Sequence, residues 1–539
     1  MYNWFMKKIC LNWTISILTG FFVLFLLSVF EFIFHLSINP LNLPISVIIS
    51  VGLIGFFTLK DNKKGFFKSF FAQIIVLFDL ILLFGVLCYF IPDISYDGTT
   101  YHQAMIILLK QGLNPIFDNV SNFAMSQKYV FTSSIPYVEN FLKFFEIIGA
   151  NIYIFFDKIE LSKITNYIFM LISFCYAFYS LKNLELSNKK SAIFALILIY
   201  NPICICQMLS NYVDAVFYYT FLILLFALIN YTKGVDTKKS LYLVFIASII
   251  FSNIKLTGLF TTIIMFLVFL IAYRSKTLLK IFSLSIIFIL LTGINPYFTN
   301  IQKGRSPFYP VVQNSIFDAN RDFMITSYPQ GFEKMGRFQK FFFSTFAVSK
   351  NLSPLINSDD VPRLKIPFTI SGDDKFIFED MRLGGFGYFF SGILLMSLGL
   401  SIFLRFKNKE EKKLFLTVIS ILLISILGNH EAWWARFVPQ LWVLPIFIGL
   451  FLFLNEKTSE KTILIAKMMI FMCFINSFLI NFQYFSYIFE NAKLFHRSVE
   501  NSPKIVKIPE SYPIQMHKYE TLPVKLAEYG IEVIYTNEE

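Results

Sequence analysis

Thirteen apolar runs divide the chain, at about 14–36, 44–59, 70–92, 162–181, 190–209, 211–231, 239–256, 258–274, 277–295, 386–404, 413–428, 437–454 and 462–484. Most approach the ~20 residues that an α-helix needs to cross ~30 Å of hydrocarbon at ~1.5 Å per residue. The second run is short, and the break between the seventh and eighth rests on Lys255 and Gly258. Composition points the same way: 56% of the residues are hydrophobic, 15% are charged and the mean hydropathy is +0.62, whereas a soluble domain carries roughly 25% charged residues. A soluble enzyme of this size is excluded. The expected fold is an all-α integral membrane protein with about 13 transmembrane helices.

Charge orients the runs. Every second connection is basic, with Lys60, Lys63, Lys64 and Lys68, then Lys182, Lys189 and Lys190, then Lys233, Lys238 and Lys239, then Arg274, Lys276 and Lys280, then Arg405, Lys407, Lys409, Lys412 and Lys413, then Lys457 and Lys461. The short connections between them hold at most one basic residue each, Lys255 or Arg436. Basic loops stay in the cytoplasm, so the N-terminus is expected there and the protein in the cytoplasmic membrane. The formal charge of +12 then reflects topology and calls for no nucleic acid. Two long loops, 93–161 and 296–385, and the segment 485–539 are expected outside, the last beyond a membrane domain spanning 1–484. The tail pairs a short amphipathic helix with an alternating strand. Lys7 and Lys8 precede the first run, which is too long for a signal-peptide core and is read as a retained span. The six cysteines lie in or beside apolar stretches and form no disulfide or metal-binding pattern.

The polar residues with chemical interest gather on the outer side. The first loop opens PDISYDGTTYHQAMIILLKQGLNP. Thr99 to Lys110 suits a helix lying along the interface on Met105, Ile106, Leu108 and Leu109, with Asp97 just ahead of it. Asp97 reads equally as a helix cap and as a carboxylate that takes a proton from an acceptor hydroxyl. Tyr101, four residues on, is placed to share its helical face, with His102 beside it. Asp214 starts the sixth run, as a cap or as part of a cavity. Lys255 lies between two apolar runs with no acidic residue within a helical turn, so it either snorkels or meets a permanent anionic ligand. Arg305, Arg382 and Arg436 are further cations, each of which reads also as an interfacial anchor or loop ion pair. The pair Trp433 and Trp434 fits an aromatic belt. Glu31 and His35 fit a local hydrogen-bonded pair, and Asp79 in the third run has no nameable partner. No Walker, Rossmann, HExxH or GxSxG pattern occurs in a fitting context.

The order of several segments, YDGTTYH, SNYVDA at 210–215, NIKLTG at 253–258, NPYFTN at 295–300, SPFYPV at 306–311, MRLGGFGYFF at 381–390 and EAWWARFVPQLWVLP at 431–445, resembles the GT-C superfamily of membrane glycosyltransferases. The likeness, over roughly 70–450, is to bacterial members related to protein mannosyltransferases and lipid A aminoarabinose transferases. It implies transfer of a sugar, with inversion, from a polyprenyl-phosphate donor to a lipid, glycan or protein acceptor outside the membrane. The family's first-loop acid falls on Asp97. Tyr101, His102, Asp214, Lys255, Arg305, Arg382 and Arg436 are the accompanying binding candidates, with Lys255, helped by Arg305 or Arg436, on the lipid phosphate. The usual paired acid is missing, Asp93 being four residues away. A divalent cation on Asp97 with Asp93 or Asp318 is therefore left open. Two other classes fit many spans: a transporter or lipid flippase, and an outer-face glycan polymerase or ligase.

Overall fold

The computed structural model describes residues 2–127, 135–309, 312, 328–351, 362–509 and 521–536. Asp318 lies outside them, as do the last two residues of SPFYPV. The long helices are α1 (Tyr2–Ile33), α2 (Asn42–Asp61) and α3 (Phe66–Phe90); α4 (Gln103–Lys110) and α5 (Phe144–Phe156) in the first long loop; α6 (Ile164–Asn183), α7 (Asn188–Ile199), α8 (Asp214–Thr232), α9 (Thr237–Ile254), α10 (Leu256–Tyr273) and α11 (Lys276–Thr292); then α12 (Phe390–Ser401), α13 (Lys409–Leu427), α14 (Val443–Leu454) and α15 (Glu460–Glu500). The protein is all-α in its bulk and has the helices of a multi-pass membrane protein.

Every expected run contains a helix, but among the described residues seven helices are long and apolar enough to cross a membrane, or eight if α11 and the segment Ile294–Gln302, bent by 72°, count as one. Of the remainder, α9 and α13 are unbroken at 18 and 19 residues but carry charge in their first turns, lysines in both and glutamates in α13; the others are short, bent or interrupted. The run at 190–209 ends as a helix at Ile199, because Asn201 precedes Pro202 and its side chain accepts from the Ile203 N–H at 3.1 Å, starting a separate turn. Helices α7, α12 and α14 have 12 residues each, about 18 Å of rise.

Helix α8 is the hub: 89% of its most apolar stretch is buried, against 11% for α3. It packs on α6 and α9, and α1 packs on α2 and α6. Helix α3 exposes Phe67, Phe71, Ile75, Phe78 and Leu82. Such a face requires an apolar surrounding, since water would penalise each bare side chain.

The first long loop is not the interfacial helix expected. A π-turn at Gly98–His102 leads into α4, whose Met105, Ile106, Leu108 and Leu109 are all buried. Helices α4 and α5 pack together, and Asn151 of α5 donates to Ser28 Oγ of α1 at 3.0 Å. The apolar side chains are thus spent on the core. Glu31 and His35 do not pair either: Glu31 accepts from Asn42 Nδ2 at 2.7 Å, and His35 stacks on Phe117.

The expected boundary at 484/485 falls inside α15, which runs unbroken for 41 residues. Beyond it, the expected tail helix and strand form as α16 (Leu522–Ala527) and β4 (Glu532–Thr536), the latter parallel to β3 (Ile505–Pro509), with Val506 opposite Val533. The parallel strands β1 (Lys350–Asn351) and β2 (Lys375–Phe376) lie in the second loop. The tail does not stand apart. Lys525 Nζ reaches the Asp93 carbonyl at 2.7 Å and Glu160 Oε1 at 3.0 Å, and Thr521 Oγ1 donates to the Thr99 carbonyl at 3.1 Å. Lys525→Met should therefore free the segment that carries Asp97. Lys163 still pairs with Glu160, so the cost should be about 1–3 kcal/mol from unmet hydrogen bonds. Faster amide exchange over residues 93–103 with unchanged exchange in α8 is the expected signature; no local change would show that the tail merely rests there.

Candidate functional site

Five separate stretches of chain meet at one end of the bundle: the residues after α3, the start of α8, the break between α9 and α10, the segment before α12, and the turns before α14. Two glycines allow the approach. A Cβ on Gly98 would collide with the Asp93 carboxylate and Ser95 hydroxyl, and one on Gly258 with the Phe251 carbonyl. These are the glycines of YDGTTYH and NIKLTG.

Arg436 is at the centre. Its Nη1 lies 2.7 Å from Asp97 Oδ2 and 3.7 Å from Asp214 Oδ2, and its Nε is 2.8 Å from Asp380 Oδ1. Lys255 Nζ lies 2.6 Å from Asp214 Oδ1. Arg382 donates through Nε and Nη2 to Asp380 Oδ2 at 3.1 and 2.8 Å. Three carboxylates thus face three cations, nearly dry: Asp214, Asp380, Asp97, Arg382 and Arg436 are all buried. Aromatic rings wall the charges, with Arg382 over Trp434, Lys255 over Phe437 and Arg436 near Tyr212. Burial opposes the Arg436 charge, but Asp380 and Asp97 outweigh it and hold the guanidinium well above its ordinary value. Burial, reinforced by the Asp97 charge, pushes the Tyr101 phenol well up, so its hydroxyl stays a donor to Asp97 Oδ2, at 3.0 Å.

The carboxylates differ in how fully they are occupied. Asp214 gives Oδ1 to Lys255 and Oδ2 to Gln207, at 3.0 Å, and Arg436. Asp380 gives Oδ1 to Trp434 Nε1, at 2.6 Å, and Arg436, and Oδ2 to Arg382. Asp97 places both Tyr101 and Arg436 on Oδ2; its Oδ1 accepts nothing from the described residues. Among the cations, Arg382 Nη1 and Arg436 Nε are buried without a hydrogen-bond partner, the latter in ion-pair contact with Asp380. An unmet buried donor of this kind costs free energy unless an acceptor arrives.

Most sequence candidates come together here: Asp97, Tyr101, Asp214, Lys255, Arg382 and Arg436. Neither aspartate caps a helix through its side chain. Lys255 is not without an acid, as its local sequence indicated. Asp214, 41 residues away, supplies the countercharge, because the fold sets the start of α8 beside the break before α10. Lys255 and Asp214 should show a coupling on the order of 1–3 kcal/mol in a double-mutant cycle of Lys255→Met and Asp214→Asn, read by thermal unfolding. Zero coupling would leave the lysine available to an external anion alone.

Two candidates lie elsewhere. His102 turns away from Asp97 to Glu146, with Nδ1 2.5 Å from Oε1 in a buried pair. Arg305 sits on the surface, 3.2 Å from Glu139 Oε2, as a loop ion pair. Trp433 and Trp434 are buried, donating to Glu431 and Asp380, and are no aromatic belt. Asp93 belongs to a different knot, its Oδ2 accepting from the Asn211 N–H at 2.7 Å and its Oδ1 from Ser95. Burial pushes the Asp93 carboxyl up, against the pull of Lys525. Asp93 and Asp97 therefore do not form the cation site left open above, and among the described residues no three His, Cys, Asp or Glu side chains are arranged to hold a metal ion.

Sequence reasoning missed Asp380, Gln207 and Tyr212. Asp380 stands two residues before Arg382, at the edge of MRLGGFGYFF, and Tyr212 lies inside SNYVDA, where its hydroxyl accepts from the Asp97 N–H at 3.3 Å. Both were within reach of the motifs; Gln207 had no signal. Comparison with protein-family models, with curated proteins and with solved structures finds no match to the chain.

Proposed function

We propose that the protein is a membrane glycosyltransferase of GT-C type, crossing the cytoplasmic membrane thirteen times with its N-terminus inside, and that the charged network lies on the outer face. It transfers a sugar, with inversion, from a polyprenyl-phosphate donor to a lipid, glycan or protein acceptor. The observation that carries this reading is the division of labour in the network: one carboxylate with an uncommitted oxygen, Asp97, shares Arg436 with two that are saturated, close to a guanidinium with an unmet donor.

In this reading Asp97 Oδ1 takes the proton of the acceptor hydroxyl as its oxygen attacks the anomeric carbon. The bond from that carbon to the phosphate oxygen breaks on the opposite face, and its electron pair stays with the phosphate. Arg382 Nη1, which is buried without a partner, and the Arg436 guanidinium hold the growing negative charge. Lys255 and Asp214 keep Arg436 in place.

The test is release of polyprenyl phosphate by the purified protein from a panel of polyprenyl-phosphate sugars, with lipid and sugar acceptors supplied. Cleavage with transfer supports the reading. Movement of intact donor across proteoliposomes without cleavage would replace it with a flippase, and no effect on any donor would discard it.

A further inference from the structure

Asp79 sits thirteen residues from the start of α3 and eleven from its end, which puts it about 16–20 Å from either terminus, close to the middle of any bilayer the helix crosses. It is exposed, on the helix whose most apolar stretch is 11% buried. Its neighbours on that surface are Ile75, Val76, Phe78, Leu82, Leu83 and Val86, all exposed. No described residue forms a hydrogen bond or ion pair with it, and the charged network has no use for it. Ionisable groups within spans are costly and face a partner or a water-filled interior almost without exception. Here the described residues offer neither.

We infer that the outward face of α3 around Asp79 is a docking surface for a transmembrane helix of another protein that carries a lysine or arginine at mid-bilayer depth. Charge complementarity selects this occupant. A cation is the group that satisfies a carboxylate in hydrocarbon, and the remaining face is apolar enough to pack on any span. A second copy of the chain meeting through the same patch would bring one Asp79 against another, like charge on like. The adjoining α2 widens the surface, with Val47, Ile48 and Phe56 exposed. The inference is independent of the glycosyltransferase reading.

The test uses the full chain in phosphatidylcholine vesicles with a fluorescent, leucine-rich transmembrane peptide bearing a central lysine, and the same peptide with leucine there. Energy transfer should report association with the lysine peptide about tenfold tighter than with the leucine one, the equivalent of one interhelical polar contact. Asp79→Leu should erase the difference and Asp79→Glu should keep it. Replacing an acid by leucine on a lipid-facing surface favours insertion, so unfolding is not an expected outcome, and unchanged thermal melting of Asp79→Leu checks this. Equal association of both peptides, or a preference that survives Asp79→Leu, overturns the inference. So does an Asp79-dependent self-association with no peptide preference, which would assign the surface to a second copy.

Discussion

Arg436→Met should destabilise the folded chain by about 3–5 kcal/mol, the cost of breaking a buried ion pair from one side. Arg436 is the cation shared by Asp97, Asp214 and Asp380. Without it three buried carboxylates face Lys255 and Arg382 alone, and Asp97 keeps only the Tyr101 hydroxyl. Arg436→Lys restores the charge but not the fork that reaches Asp97 and Asp380 from two nitrogens, so an intermediate loss is expected. The decisive comparison is Asp97→Asn in the Arg436→Met background. Removing the stranded carboxylate should recover part of the lost stability, measured by thermal unfolding in detergent, whereas simple addition of the two losses would show that the residues do not act as one network.

Asp97→Asn alone should leave the fold standing and, under the glycosyltransferase reading, lower turnover by about 10²–10⁴-fold, the usual contribution of a positioned general base. The amide oxygen still accepts from Tyr101, and Arg436 retains Asp380 and Asp214. What disappears is the basic oxygen for which no described residue competes. Turnover of a donor identified in the panel, beside the melting curve of each variant, separates chemistry from stability. Wild-type turnover in Asp97→Asn with an unchanged melt would make this aspartate a structural ion-pair partner.

Local sequence indicated where the polar residues lie along the chain, since Asp214 and Lys255 fall near the ends of apolar runs, Arg436 immediately precedes one and Asp97 follows one by five residues. It misjudged their partners. Lys255 was read as lacking an acid because a window of one helical turn is all that local sequence surveys, while Asp214 comes from another helix. Trp434 was read as interfacial because an aromatic pair at a span entrance fits a belt; its indole N–H instead donates to Asp380.

What the sequence by itself determined is the all-helical, multi-pass character of the protein, because hydrocarbon accepts only segments that satisfy their own backbone and that demand is written locally, run by run. The tertiary structure decided the rest: that α4 is core, that the 190–209 run breaks at Asn201, that Lys525 of the tail is buried beside Asp93 and Glu160, and that one arginine serves three aspartates. Each of these depends on which distant surfaces meet. A buried charge is paid for by whatever stands opposite it in space, and neighbours in space are not neighbours in sequence.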